Sequence, residues 1–140
     1  MNLAQTLIDA AETDPDHVAV KLDDVELTYA QLDGASAHIV GLLREHGFSP
    51  GDRVGIMLPN VPYFPVCYYG ILRAGGLVVP MNVLLKRREV AFYLQDSGAK
   101  LLFAWRTSPT TPKPGRKRPA PTACWSSWAN SSIRWAAPSR

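Results

Sequence analysis

Between residues 51 and 105 the chain switches between short continuous apolar runs and apolar positions at helical spacing. Val54 to Leu58 is short and nearly continuous, as expected of a strand buried on both faces. The stretch from Val61 to Leu72 is longer and reads as a helix. Asn60 is placed to cap it through its side-chain oxygen, and Gly75-Gly76 to end it where a left-handed residue is wanted. Leu77-Val78-Val79 predicts a second doubly buried strand, and a strand–helix–strand of this length most simply forms a right-handed parallel crossover. A helix follows from about Lys86 to Gln95, with Val90, Tyr93 and Leu94 as its packed face and Gly98 as its stop. Lys100 to Ala104 supplies a third strand. The resulting β-α-β-α-β order is the signature of an open parallel sheet covered by helices, an α/β fold.

Ahead of this unit, Leu3, Leu7, Ile8 and Ala11 share one face of a helix over Asn2 to about Asp14, with Asn2 as its cap. Val18–Leu22 and Val25–Thr28 flank Asp23-Asp24, the pattern of a hairpin with a two-residue turn. Thr28-Tyr29-Ala30-Gln31 fits a capping box. Leu32, Ala35, Ile39, Leu42 and Leu43 continue behind it at helical spacing until Gly47. Ser49-Pro50-Gly51-Asp52 then reads as a turn.

Both periods vanish after Trp105. Pro109, Pro112, Pro114, Pro119 and Pro121 exclude a helix or an interior strand, so residues 106–140 are expected to be disordered or not packed on the body. Charge divides at the same place. Residues 1–105 hold eight basic against all twelve acidic residues, a formal charge of −4, whereas 106–140 hold seven basic and no acidic residues. The basic isoelectric point therefore belongs to the tail and says nothing about what the body binds. Three of the four tryptophans lie in the tail as well. Two units follow: a body at 1–105 and a basic, Pro/Ser/Trp-rich tail at 106–140.

Few residues invite a chemical role. Cys67 and Cys124 lack the spacing of a disulfide framework or a zinc site, and Cys67 lies in an apolar helix where a buried thiol is the ordinary reading. His17, His38 and His46 have no ligand spacing and read as surface residues. Gly70, Gly75 and Gly76 are explained by helix termination and close packing, since no GxGxxG or Gly-Lys-Ser/Thr accompanies them. Asp23, Asp24, Asp33 and Asp52 read as solvated. Tyr63, Phe64, Tyr68 and Tyr69 either pack in the core, the favoured reading, or line an apolar substrate channel. Gly115-Arg116-Lys117-Arg118 with the later tryptophans is either a solvated tail, again favoured, or a module that contacts nucleic acid or an anionic membrane. No catalytic, cofactor-binding or metal-ligating residue is assigned. The first ten residues lack a secretory signal and the longest apolar run is too short to span a bilayer, so the body is expected in the cytoplasm.

Thr28-Tyr29-Ala30-Gln31-Leu32, Gly51-Asp52-Arg53-Val54, Leu58-Pro59-Asn60, Gly70-Ile71-Leu72-Arg73-Ala74-Gly75-Gly76, Val79-Pro80-Met81-Asn82, Arg88-Glu89-Val90 and Asp96-Ser97-Gly98-Ala99-Lys100 occur in order. Together they resemble the N-terminal part of the adenylate-forming (AMP-binding) enzymes, most closely the fatty acid–CoA ligases. The resemblance covers residues 1 to about 105. It implies a larger enzyme that uses ATP and Mg²⁺ to convert a fatty acid to acyl-AMP and then passes the acyl group to coenzyme A. The segments that carry this chemistry in the family are a Ser/Thr/Gly-rich phosphate loop ending in Lys-Gly, an acidic residue holding nucleotide or metal, a Thr-Gly-Asp ribose segment and a C-terminal catalytic Lys. None is found in the sequence, so the resemblance implies a truncated, inactive ligase that binds none of these cofactors itself. Two positions depart from the family within the match: Tyr63, where a Glu is frequent, and Lys86, where a Ser or Thr cap is common.

One explanation of the abrupt change after Trp105 is a shift of reading frame in a GC-rich gene. Tryptophan has a single codon, TGG, and reading from its third base turns Trp125-Ser126 into a Val codon and Trp128-Ala129 and Trp135-Ala136 into Gly codons. With G or C at most free positions, residues 124–139 re-read as LVELGELVDPLGGAV, in which acidic residues and alternating apolar ones return.

Overall fold

A computed structural model describes residues 2–105 and the backbone of residues 133–135. Its first elements follow local signals closely. Helix α1 (Ala4–Thr13) starts where the Asn2 side-chain oxygen accepts from the Ala4 N–H at 3.0 Å. The same Asn2 amide donates to the Leu72 carbonyl at 2.6 Å, tying the start of the chain to the end of a later helix. Strands β1 (Val18–Leu22) and β2 (Val25–Thr28) form an antiparallel hairpin that is a sheet of its own. Asp23 takes φ 51° in the turn, the left-handed conformation that two-residue hairpins favour and Asp tolerates.

Helix α2 (Tyr29–Glu45) opens with the complete capping box: Gln31 N–H donates to Thr28 Oγ1 at 3.3 Å, and Thr28 N–H to Gln31 Oε1 at 3.0 Å. It ends at Gly47, φ 74°. The turn at 49–52 is closed by Asp52 N–H on the Ser49 carbonyl at 3.0 Å and carries Gly51 at φ 88°. Positive φ at its third residue is what a type II turn requires.

The sheet follows: β3 (Arg53–Met57), α3 (Tyr63–Arg73), β4 (Leu77–Pro80), α4 (Arg87–Ser97) and β5 (Leu101–Trp105). Strand β3 lies between β4 and β5 and is parallel to both. A further strand, β6 (Ile133–Trp135), pairs antiparallel with β5. The sequence places nothing from the tail on the body, and three residues are too few to show a period. Alternate N–H groups on the outer edge of β5 nevertheless need partners, and the backbone of β6 meets them. Residues 106–132 and 136–140, expected to be disordered, lie outside the described residues.

Register sorts the two faces of the sheet. Val54 and Ile56 pair with Leu101 and Phe103, and all four are buried on the face covered by Val66, Cys67 and Ile71 of α3 and Leu32, Ala35, Ile39 and Leu43 of α2. Helices α2 and α3 pack closely enough that a Cβ on Gly70 would lie 2.5 Å from the Ile39 Cβ and 3.0 Å from the Ser36 carbonyl. At one end of this contact the Arg73 guanidinium bonds to the Asp33 carboxylate and, at 3.2 Å, to Ser36 Oγ. On the opposite face Gly55 and Leu102 meet Met81 and Leu94, and a Cβ on Gly55 would lie 2.7 Å from Met81 Cε.

Helix α4 covers that second face thinly. Among its residues none is fully buried; Val90 and Leu94 are half-buried, and Tyr93, expected on the packed face, is exposed. Lys86 has no acceptor to offer the helix start, so capping comes from the other side, the Glu89 carboxylate accepting from Lys86 N–H at 2.7 Å. Gly98 ends the helix as expected, at φ 65°.

Among the described residues strand β4 is an edge strand rather than a doubly buried one, with Leu77 49% exposed. The N–H groups of Leu77 and Met81 point inward to the carbonyls of Asp52 and Ile56, so alternation aims those of residues 78 and 80 outward. Position 80 is proline and has none, which blunts the edge against further pairing.

Two outcomes test this packing. Gly70→Ala should lower the unfolding free energy by about 1–3 kcal/mol through overpacking, whereas Gly34→Ala, with nothing within 4 Å of its new methyl, should raise it by up to ~1 kcal/mol; urea titration reads both. Asp52 is held below its ordinary pKa of 3.8 by the Lys100 ammonium and the Ser49 N–H. A depressed carboxylate contributes stability above its unfolded pKa and loses it as the pH falls through the folded one. Denaturation midpoints should therefore fall below pH 3.8 less steeply in Asp52→Asn than in the parent chain.

Candidate functional site

Because α3 and α4 lie on opposite faces, the winding of the sheet reverses between β3 and β5. In open α/β sheets the crevice beyond the carboxyl ends of the strands at such a reversal is the usual place for a ligand. Here it is bordered by residues 58–61, which follow β3, and by Trp105 at the end of β5.

Proline shapes the first of these segments. Val61 N–H donates to the Pro59 carbonyl at 2.8 Å and Phe64 N–H to the Val61 carbonyl at 2.9 Å, so the chain turns twice before α3 begins. Pro62, not Asn60, stands at the helix N-cap, and no side chain caps it. Pro62 and Pro65 lack N–H groups, which removes two of the donors that a cap would serve. Asn60 is thereby left exposed at the crevice.

The Tyr63 ring lies 6.2 Å from that of Trp105, tilted by 45°, and burial pushes its phenol above the usual pKa. Phe64 stacks on Tyr68 at 6.2 Å, and Tyr68 meets Tyr69 edge-on at 5.8 Å. All four aromatics of α3 are half-buried against the core, so core packing accounts for them, while Tyr63 and Phe64 also reach the crevice region. A groove of about 250 Å³ runs between Val20 and Lys21 of the hairpin and Asn60, Val61, Phe64 and Pro65. Lys21 at its rim is paired with Glu26. This surface offers apolar contact, the Asn60 amide and the paired Lys21 ammonium at its rim.

The remaining candidates stay apart. His17 stacks on Tyr29 with ring centroids 6.1 Å apart, His46 bonds the Leu42 carbonyl at 2.9 Å, and His38 is exposed on α2. Among the described residues no three His, Cys, Asp or Glu side chains come together in a way that could hold a metal. Gly70 and Gly76 are packing positions, and Gly75 is the left-handed stop of α3 at φ 80°. Asp23 and Asp24 are solvated as expected. Asp33 and Asp52 are not: their side chains are 25% and 14% exposed and paired with Arg73 and Lys100. Gly115–Arg118 and Cys124 lie outside the described residues. Sequence reasoning overlooked Trp105 and the 58–61 segment as a site, although the β-α-β-α-β pattern with its reversal was the signal that points to the segments after each strand.

Comparison with known proteins decides the family. The family described as "AMP-binding enzyme" matches residues 7–133. The chain belongs to that family. It is 34% identical over 101 residues to a long-chain-fatty-acid–CoA ligase of Bacillus subtilis, covering 72% of this chain and 18% of the relative. It is 36% identical over 102 residues to bacitracin synthase 3 of Bacillus licheniformis, covering 73% of this chain and 2% of that one. The crystal structure of the N-terminal domain of FACL13 from Mycobacterium tuberculosis superposes with a TM-score of 0.69 at 34% identity, over 73% of this chain and 26% of that domain. The AMP-binding chain thus corresponds to the N-terminal region of adenylate-forming enzymes and spans less than a fifth of the length of these two curated relatives. Among the described residues no helix is long and apolar enough to cross a membrane.

Cys67 is the one thiol among the described residues, and burial pushes it up to about 12. In a Cys124→Ser background it should resist a thiol reagent such as Ellman's reagent at pH 8 and react promptly once the chain is denatured. Rapid labelling of the folded chain would show the α2–α3 core to be open.

Proposed function

We propose that the chain is the opening segment of a fatty acid–CoA ligase, an enzyme that activates a fatty acid as acyl-AMP and transfers it to coenzyme A, and that these 140 residues do not carry out the adenylation themselves. One coincidence carries the reading. The ordered motifs, the parallel β-α-β-α-β unit and the similarity to a long-chain-fatty-acid–CoA ligase coincide over the same residues, whereas the segments expected to hold nucleotide are missing from the 140.

ATP with Mg²⁺ demands cationic groups for the phosphates and carboxylates for the metal. The crevice offers Asn60, Tyr63, Trp105 and apolar side chains, and its neighbouring Lys21 is already paired with Glu26. The described residues do not fit that ligand set, so no step is assigned to them. Their contribution is architectural: they hold the strand ends and the aromatic wall against which the rest of such an enzyme would build its site. The apolar character of that wall suits an acyl chain better than a polar amino acid, which favours the ligase over the peptide-synthase relatives. We place the body in the cytoplasm.

Residues 106–140 fit this reading as a frame-displaced continuation, on the strength of the charge and tryptophan break at Trp105. The nucleotide sequence from codon 100 onward provides the check, and an early stop in the alternative frame would end the idea.

ATP–pyrophosphate exchange tests the function. The 140-residue chain should show no exchange above buffer with palmitate, benzoate or a mixture of amino acids. The gene product with its frame restored should exchange with palmitate. Exchange by the short chain would overturn its inactivity, and exchange of the restored protein with amino acids or benzoate alone would overturn the assignment to fatty acids.

A further inference from the structure

Apart from Glu89, which serves its first turn, helix α4 carries its charges in the opposite sense to the one a lone helix prefers. Arg87 and Arg88 occupy its first turn and Asp96 its last, whereas the helix dipole favours acids at the start and bases at the end. Arg88, Phe92 and Asp96 recur at intervals of four and so share one face. All three are exposed, Phe92 by 61%. Arg88, Glu89, Phe92 and Tyr93 border a shallow depression of about 400 Å³, where the Phe92 and Tyr93 rings meet edge-on at 5.8 Å.

The arrangement is self-complementary. Phe92 is the midpoint of the face, with Arg88 and Asp96 each about 6 Å along the axis from it. We propose that this face is the contact of a homodimer, in which two copies of α4 pair antiparallel about a two-fold axis at Phe92. The symmetry that brings Phe92 against its mate brings Arg88 against the second copy's Asp96, and Asp96 against its Arg88. Antiparallel pairing also sets the two helix dipoles in opposition. A parallel arrangement would put Arg88 on Arg88 and Asp96 on Asp96, so charge selects the orientation as well as the partner. A contact one short helix long belongs to the weak, reversible class of interfaces. It does not depend on the reaction proposed above.

Sedimentation equilibrium of the full 140-residue chain over a concentration series tests the pairing. The parent chain should show a reversible monomer–dimer equilibrium. Phe92→Ala, which removes the central apolar anchor, should raise the dissociation constant about tenfold or more. Arg88→Asp and Asp96→Arg should each raise it by about fivefold, since a reversal puts like charges together at both symmetric positions. The two reversals combined should return it to within about twofold of the parent, because the pairs are restored with their signs exchanged. The substituted side chains are exposed, so the variants should keep the parent's far-ultraviolet circular dichroism. A chain that stays monomeric throughout overturns the proposal, as would be found if this face awaits the remainder of a longer enzyme. Self-association indifferent to Phe92 and unrestored by the double reversal overturns it equally, and points to association through residues 106–140.

Discussion

Strand β3 must be hydrogen-bonded on both edges and covered on both faces, and most of the fold follows from meeting those demands. Val54 and Ile56 fill one face and Gly55 opens the other to Met81, Leu102 and Leu94. Because β4 and β5 both run parallel to β3, each must be reached by a crossover, and right-handed crossovers in opposite directions place their helices on opposite faces. The reversal of winding beside β3 then fixes where a ligand crevice can open. A strand with Asp or Lys at position 54 or 56 would lose the α2–α3 layer, and with it the support of the crevice.

The two faces are not equally served. On one, α2 and α3 approach so closely that Gly70 leaves no room for a methyl group, and an Arg73–Asp33–Ser36 cluster ties the layer at its end. On the other, α4 buries none of its residues fully and leaves Phe92 and Tyr93 in water. The Mycobacterium tuberculosis N-terminal domain that shares this fold has nearly three quarters of its chain beyond the matched part. An apolar face left thin in a short chain has two physical outlets, more chain or a second copy. The placement of Arg88 and Asp96 about Phe92 speaks for the second in the chain as it stands.

Much of this was legible in the sequence because the decisive signals are local. The Thr28–Gln31 capping box, the Asp23-Asp24 turn and the glycines at 47, 51, 75 and 98 each act over three or four residues, and each appears where expected. The readings that failed depend on neighbours that no local pattern reports. Leu77-Val78-Val79 has the composition of a central strand but lies at an edge, since no further strand among the described residues pairs beyond it. Tyr93 fits the apolar spacing of α4, yet the thin contact with the sheet reaches only Val90 and Leu94. Asn60 is the right residue for a cap, but Pro62 and Pro65 shift the helix start and reduce the need for one. Asp33 and Asp52 looked solvated because their partners, Arg73 and Lys100, are 40 and 48 residues away.

These ion pairs bear on what the segment can contribute to an enzyme. Lys100 and Asp52 lie at the amino ends of β5 and β3, and Arg73 closes α3, which runs back toward that same end of the sheet. Their charges hold strand starts and helix ends in register. The opposite, carboxyl end presents Asn60, Tyr63 and Trp105, an amide and two aromatic rings. Charge committed to geometry at one end cannot also neutralise a phosphate at the other, since Coulomb attraction through water fades over about 10 Å at ordinary salt. A segment built this way presents a largely apolar wall at the carboxyl end of its strands and keeps its paired charges at the other.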